Sequence, residues 1–188
     1  MEPSDFELMA RLAKGDDLAL NALMDRWGER VTAFLFRMTG NRDTAVDLAQ
    51  ETFVKLYQAK NRYRPGGNFP TYLFAISGNL ARNHARWNRR HPTVSLDAPR
   101  EEPSICPQPI DPGRNPLEAA EAMETTLAVD RAFQTLPDDL REAMVLFIYE
   151  GMSHAEIASM IGCSPKAVET RIYRARQLLK ERLKDLAN

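Results

Sequence analysis

Residues 57–90, YQAKNRYRPGGNFPTYLFAISGNLARNHARWNRR, hold Lys60, Arg62, Arg64, Arg82, Arg86, Arg89 and Arg90 and not one Asp or Glu. Tyr57, Tyr63, Phe69, Tyr72, Phe74 and Trp87 are interleaved with those cations. Cations suit phosphates and flat rings suit unstacked bases, so the pairing points to single-stranded or melted nucleic acid. The plainer alternative is a basic solvated helix whose aromatics belong to a core. Placement along the helix favours the first. Pro70 suits a helix start, because a missing N–H costs nothing in the first turn. From there Leu73, Ile76, Leu80, His84 and Trp87 fall on one stripe at helical spacing; Tyr72, Asn79, Arg82, Asn83, Arg86 and Arg90 fall on another. Upstream, Arg64-Pro65-Gly66-Gly67-Asn68 reads as a loop. Basic and glycine-containing, it is placed to receive a flipped-out base.

The flanks are acidic. The 188 residues carry a net charge of −1, yet residues 1–56 carry −3, 57–90 carry +7, 91–136 carry −5 and 137–188 are neutral. A protein that binds DNA unaided is more often basic overall, so this chain is expected to need a partner to bind DNA well. Hydrophobic residues make up 44% of it, ordinary for a packed core and against wholesale disorder. Cys106 and Cys163 stand far apart without a metal-ligand spacing, so neither a disulfide scaffold, a zinc site nor another cofactor is expected. The N-terminus lacks a basic and then apolar leader, and the longest apolar run, around Val145 to Tyr149, is too short to span a bilayer. A reduced cytoplasmic setting is expected.

Outward from the basic stretch, every segment reads as helix. Residues 5–39 make two, with Phe6, Met9, Leu12 and Ala13 as one apolar stripe and Val31, Phe34, Leu35 and Met38 as the other. Lys14-Gly15-Asp16-Asp17 breaks them apart and Gly40-Asn41 ends the second. Residues 43–58 form a third, with Val46, Ala49, Phe53 and Leu56 turned inward. On its outer face Asp43, Asp47 and Glu51 recur every four residues, which stacks like charges. Asp43 can serve as a cap; Glu51 cannot. The face is either a solvated acidic one, which composition favours, or a dock for a basic partner. Residues 92–116 hold seven of the twelve prolines and few apolar residues, so they read as an extended acidic linker between two domains.

Beyond the linker, residues 117–136 read as a helix with Leu117, Met123, Leu127 and Phe133 among its apolar positions. Pro137-Asp138-Asp139 starts another, with acids where the helix dipole favours them, and it runs to Glu150 and stops at Gly151. Ser153-His154-Ala155-Glu156 matches a capping box ahead of a short helix. Gly162-Cys163 turns the chain, Ser164 caps, and Pro165 takes the first helical position. Short helix, tight turn and long basic helix make a helix-turn-helix pattern. Val168, Ile172, Ala175 and Leu179 face the core; Lys166, Ala167, Thr170, Arg174 and Gln177 face away, with Arg171 and Tyr173 on the flanks. Those side chains suit phosphates and base edges.

Together these segments resemble a bacterial RNA polymerase sigma factor of the extracytoplasmic-function (ECF) group of the sigma-70 family. Asp47-Leu48-Ala49-Gln50-Glu51-Thr52-Phe53 is similar to that family's D-x-x-Q-E-x-F segment. Tyr63-Arg64, Phe69-Pro70-Thr71-Tyr72-Leu73 and Asn79-Leu80-Ala81 resemble its F-R…F-x-T-W-L…N-x-A segment. Leu136-Pro137, Arg141, Gly151-Met152-Ser153, Glu156-Ile157-Ala158 and Val168…Arg171…Arg174-Ala175-Arg176 resemble its fourth region. Tyr72 stands where Trp is usual, Ala75 where many members are basic, and Glu169 where Lys or Arg is common.

The resemblance implies an all-α fold: a region 2-like helical bundle (residues 1–91) and a region 4-like helix-turn-helix domain (117–188), joined by the Pro-rich linker (92–116). It implies that Asp47, Gln50 and Glu51 dock on the polymerase clamp, which reverses the preference for a merely solvated face. Tyr63, Arg64, Asn68, Phe69, Tyr72, Asn79, Arg82, Asn83 and Arg86 would read and hold the melted proximal promoter element. Ser164, Lys166, Ala167, Thr170, Arg171, Arg174 and Arg176 would enter the major groove at the distal element. The apolar helix near Met144–Tyr149 would help present that unit to the polymerase flap. Core polymerase and promoter DNA are the implied partners, and an anti-sigma factor is a further one by analogy. Two other readings are a stand-alone helix-turn-helix regulator, which leaves the basic aromatic stretch unexplained, and an enzyme. For the latter His84, His91 and His154 lack partners at known catalytic or metal spacings, and no phosphate loop or triad motif occurs.

Overall fold

The computed structural model describes residues 2–63, 68–91 and 116–186, with backbone alone at 116–124 and 185–186. Residues 64–67 of the loop expected at 64–68, Arg64 among them, and residues 92–115 of the linker expected at 92–116 lie outside them. Among the described residues all regular structure is helical: α1 (Asp5–Ala13), α2 (Leu18–Thr39), α3 (Arg42–Gln58), a short 3-10 turn (Lys60–Arg62), α4 (Phe69–Arg90), α5 (Pro116–Gln134), α6 (Asp138–Ile148), α7 (His154–Ile161) and α8 (Pro165–Leu186).

In the N-terminal unit α2 packs against α1, α3 and α4. Phe34 and Phe74, both fully buried, meet edge-on with ring centroids 5.3 Å apart, and Trp27 stands edge-on to Phe74 at 6.4 Å. Two inward faces differ from the sequence expectation by about one position. In α1 the buried residues are Leu8, Met9 and Leu12, while Phe6 is 46% exposed. In α3 they include Ala45, Leu48 and Ala49, and Val46 is exposed. The α3 cap is Asn41, whose side chain accepts from the Thr44 N–H at 2.7 Å. Asp43 sits in the first turn instead, where its charge still suits the dipole. The apolar stripe of α4 is buried only through Leu80 and Ala81; Trp87 is half exposed and stacks on His91.

In the C-terminal unit α8 packs against α5, α6 and α7. Its Val168, Ile172, Ala175 and Leu179 are buried together with Leu146 and Ile157. Ser153 and Glu156 form the expected capping box. Gly162 (φ 72°) closes α7 in the left-handed conformation, which a side chain would resist. Ser164 then accepts from the Ala167 N–H at 3.2 Å, starting α8.

The two units pack against each other, α5 and α6 on α2 and α7 on α4. The end of α2 explains why. Its last carbonyls have no partner within the helix. Gly40 N–H returns to Phe36 O, Gln134 Nε2 donates to Arg37 O at 2.8 Å, and Arg141 Nη1 donates to Met38 O at 2.7 Å. The same guanidinium donates to Phe133 O (3.0 Å), Gln134 O (2.8 Å) and Leu136 O (2.8 Å), which ends α5. Nearby Arg37, itself buried, lies 3.7 Å over the Tyr149 ring and 3.9 Å from Asp130.

Replacing Arg141 by Met should therefore lower stability by about 3 kcal/mol or more, since several buried carbonyls lose their donor at once. Urea unfolding measures it, and a loss well under 1 kcal/mol would contradict this role. Burial also pushes the Glu142 and Glu150 carboxyls above their ordinary value, against the pull of Arg82 on the first and Arg30 on the second. A raised folded-state value means that the stability these groups contribute is present at low pH and lost as pH rises through it. Between about pH 5 and 8, the wild type should thus lose melting temperature relative to a Glu142→Gln/Glu150→Gln variant as pH increases. Parallel melting curves would argue against it.

Candidate nucleic-acid interface

The acid-free stretch becomes one long helix because Pro70 opens it and no further proline interrupts it before residue 92. Along α4, Asn79, Asn83 and Arg86 are exposed, and Tyr72 and Arg82 are half-buried. Each amide is tied to a guanidinium one turn on: Arg82 Nη2 donates to Asn79 Oδ1 at 2.5 Å and Arg86 Nη2 to Asn83 Oδ1 at 2.6 Å. The polar stripe is therefore a ladder of preoriented donors rather than loose side chains.

At its start Tyr63 and Tyr72 lie with ring centroids 5.2 Å apart. Burial pushes both phenols up, so they stay neutral hydrogen-bonding rings near neutral pH. Phe69 differs from the sequence expectation. It is 4% exposed, wedged 5.9 Å from Trp27 and 6.0 Å from Tyr63, so its ring is not available to a base. It props Tyr63 instead. Asn68, exposed at the α4 N-cap, donates to Glu156 Oε1 at 2.7 Å.

On α3, Asp47, Gln50 and Glu51 are all exposed, and Glu51 pairs with Lys55 at 3.3 Å. Val54, half exposed, belongs to the same helix. A groove between α3 and α4 runs from Glu51 to Arg86, Trp87 and Arg90, so the acidic face adjoins the basic one.

On α8, Ser164, Lys166, Thr170, Arg174 and Arg176 are exposed and Ala167 is partly covered. Several are already engaged. Lys166 pairs with Glu169 at 2.9 Å, holding that carboxyl below its usual value. Thr170 Oγ1 bonds back to Lys166 O, and Arg176 lies over the Phe147 ring. Arg171 is half-buried, 3.5 Å from Asp139 and donating weakly to Cys163 Sγ. It ties α8 to α6 rather than pointing outward, unlike the expectation for a groove-facing residue. Lys166, although paired, and Arg174 both remain exposed on α8. Residues that sequence reading missed lie between the units: Glu142, Glu150, Gln134 and Gly78. Glu142 carried a signal, a lone carboxylate opening the run Ala-Met-Val-Leu-Phe-Ile.

Two family models match the chain. One described as Sigma-70 region 2 matches residues 23–91, and one described as Sigma-70, region 4 matches residues 126–179. The chain is 32% identical to the RNA polymerase sigma-H factor of Pseudomonas aeruginosa over 187 residues, covering 98% of this chain and 96% of that one. It is also 32% identical to the ECF RNA polymerase sigma-E factor of Escherichia coli, over 97% of this chain and 96% of that one. Among solved structures it resembles the sigma factor RpoE bound to the anti-sigma factor NepR from Bartonella quintana (TM-score 0.68, 26% identity, 87% of this chain and 96% of that one). It likewise resembles CnrH in complex with the cytosolic domain of CnrY (TM-score 0.67, 29% identity, 96% and 97%). A stand-alone helix-turn-helix regulator would leave the region 2 match unaccounted for, and a sigma factor is an initiation factor, not an enzyme. With both regions present in order and relatives aligned over nearly its whole length, the chain belongs to the sigma-70 family of RNA polymerase sigma factors, in the extracytoplasmic-function group.

Proposed function

We propose that the chain directs core RNA polymerase to promoters with a fixed division of labour. Residues 1–91 dock on the polymerase clamp through Asp47, Gln50 and Glu51, and hold the melted proximal element with Tyr63, Tyr72, Asn79, Arg82, Asn83 and Arg86. Arg64 and Asn68 belong to the same set, with Phe69 acting as a prop. Residues 117–188 present α8 to the distal element, Ser164, Lys166, Ala167, Thr170, Arg174 and Arg176 facing DNA and Arg171 fixing the helix. The linker at 92–116 sets the reach between them. The observation that carries this reading is the ladder on α4, where an acid-free row of amides and guanidiniums runs on from two neighbouring tyrosine rings. No bond is made or broken; binding energy is spent on unstacking bases, a few kcal/mol per flipped base, and recovered by stacking worth about 1–3 kcal/mol each.

No described helix is long and apolar enough to cross a membrane, and the setting that fits a polymerase subunit is the cytoplasm. An anti-sigma partner fits as well, since the relative RpoE was solved with one.

Run-off transcription with purified core polymerase across genomic promoters tests the whole reading; new start sites are expected, and none would defeat it. Within that assay Tyr72→Ala with Arg82→Ala should keep core binding while cutting open-complex formation by about tenfold or more. Asp47→Arg with Glu51→Arg should do the reverse, abolishing co-elution with core enzyme while the variant's own melting temperature stays near wild type.

A further inference from the structure

A carboxylate on a helix that faces DNA needs a reason, because it repels phosphate. Glu169 is such a group, its side chain 54% exposed on α8. Lys166, 80% exposed, pairs with it at 2.9 Å. Among the described residues neither side chain is hydrogen-bonded to any other element of the fold. Arg171 and Arg176, by contrast, are turned onto Asp139 and the Phe147 ring. An exposed pair three residues apart on one helix contributes little to stability, so the fold does not account for it. The lysine takes Oε2, which leaves Oε1 open to accept and the ammonium with donors to spare. Its hydrogen bond also holds the carboxyl below its usual value, so Glu169 stays an acceptor near neutral pH. Both residues lie in the first two turns of α8, the end of a recognition helix that reaches base edges.

We propose that Lys166 and Glu169 act as one unit that reads a single C·G base pair of the distal promoter element. This rests on the assignment of α8 to that element. Seen from the major groove, a C·G pair shows one donor, cytosine N4–H, beside two acceptors, guanine O6 and N7. An anion beside a cation is the complement of that edge: Oε1 accepts from N4 while Nζ donates to O6 or N7. An A·T pair fits less well. Its N6 donor has acceptors on both sides, N7 and thymine O4, and each repels a carboxylate. On the far side of cytosine N4 stands only a C–H. The pair carries no net charge, so it adds selectivity without adding affinity for phosphates at large.

The test uses the full-length chain assembled with core polymerase. Its probe is a pool of fragments carrying one promoter found by run-off transcription, with the distal element randomised. Sequencing the fragments retained in polymerase complexes gives the base preference at every position. Wild type should favour C·G by about tenfold at one position, in one strand orientation. Glu169→Ala should flatten that position alone. Lys166→Glu with Glu169→Lys keeps the net charge and should invert the preference to G·C at the same position. Circular dichroism melting confirms that each variant is folded. The inference fails if the position that responds is not C·G in wild type, or if the exchange does not invert it. Thr170→Ala and Arg174→Ala probe the assignment of α8 separately. Distal preferences altered by these but not by Glu169→Ala would overturn the inference alone. Preferences that survive all three substitutions would overturn the assignment of α8, and the inference with it.

Discussion

The C-terminal carbonyls of α2 need donors that α2 cannot supply. Gln134 and Arg141 supply them from the other unit, and Arg141 ends α5 in the same act. One guanidinium with its donors fixed in a plane thus ties the end of α2 to the end of α5. Once α6 lies along α2, Glu142 falls opposite Gly78 and Arg82, Glu150 opposite Arg30, and the start of α7 opposite Asn68.

Helix limits were legible because they are written in local chemistry. Pro70, the Ser153–Glu156 box, Gly162 and Ser164 each act within a few residues, and each took the expected place. Inward faces were legible only to about one position, since Leu8 and Val46 trade places with their neighbours without disturbing a helical pattern. Asn41, read from the sequence only as the end of α2, caps α3 in place of Asp43, and both residue types are competent caps. Phe69 in a basic, aromatic-rich stretch looks like a stacking ring. Its burial depends on Trp27, more than forty residues away, which no local pattern contains. The contact of α6 and α7 with α2 and α4 could not be read from composition. Arg82 and Glu142 are 60 residues apart and Arg30 and Glu150 are 120 apart, with a proline-rich segment between.

A contact built on carbonyls and charges can be specific and still come apart. Truncating Arg141 takes the donor from the carbonyls of Met38, Phe133, Gln134 and Leu136 at once, the expensive case. Parting the units intact is the cheap one, because water then reaches both the donors and the acceptors and the net value of each exchanged hydrogen bond is only about 1 kcal/mol. The buried carboxylates push the same way. Glu142 and Glu150 are held against their own desolvation, so re-exposing them returns part of what their attraction to Arg82 and Arg30 contributes. An apolar interface of the same extent would have no such relief, and its cohesion would grow with area alone. Carbonyls and charges thus set one orientation between the units while leaving the cost of separating them low.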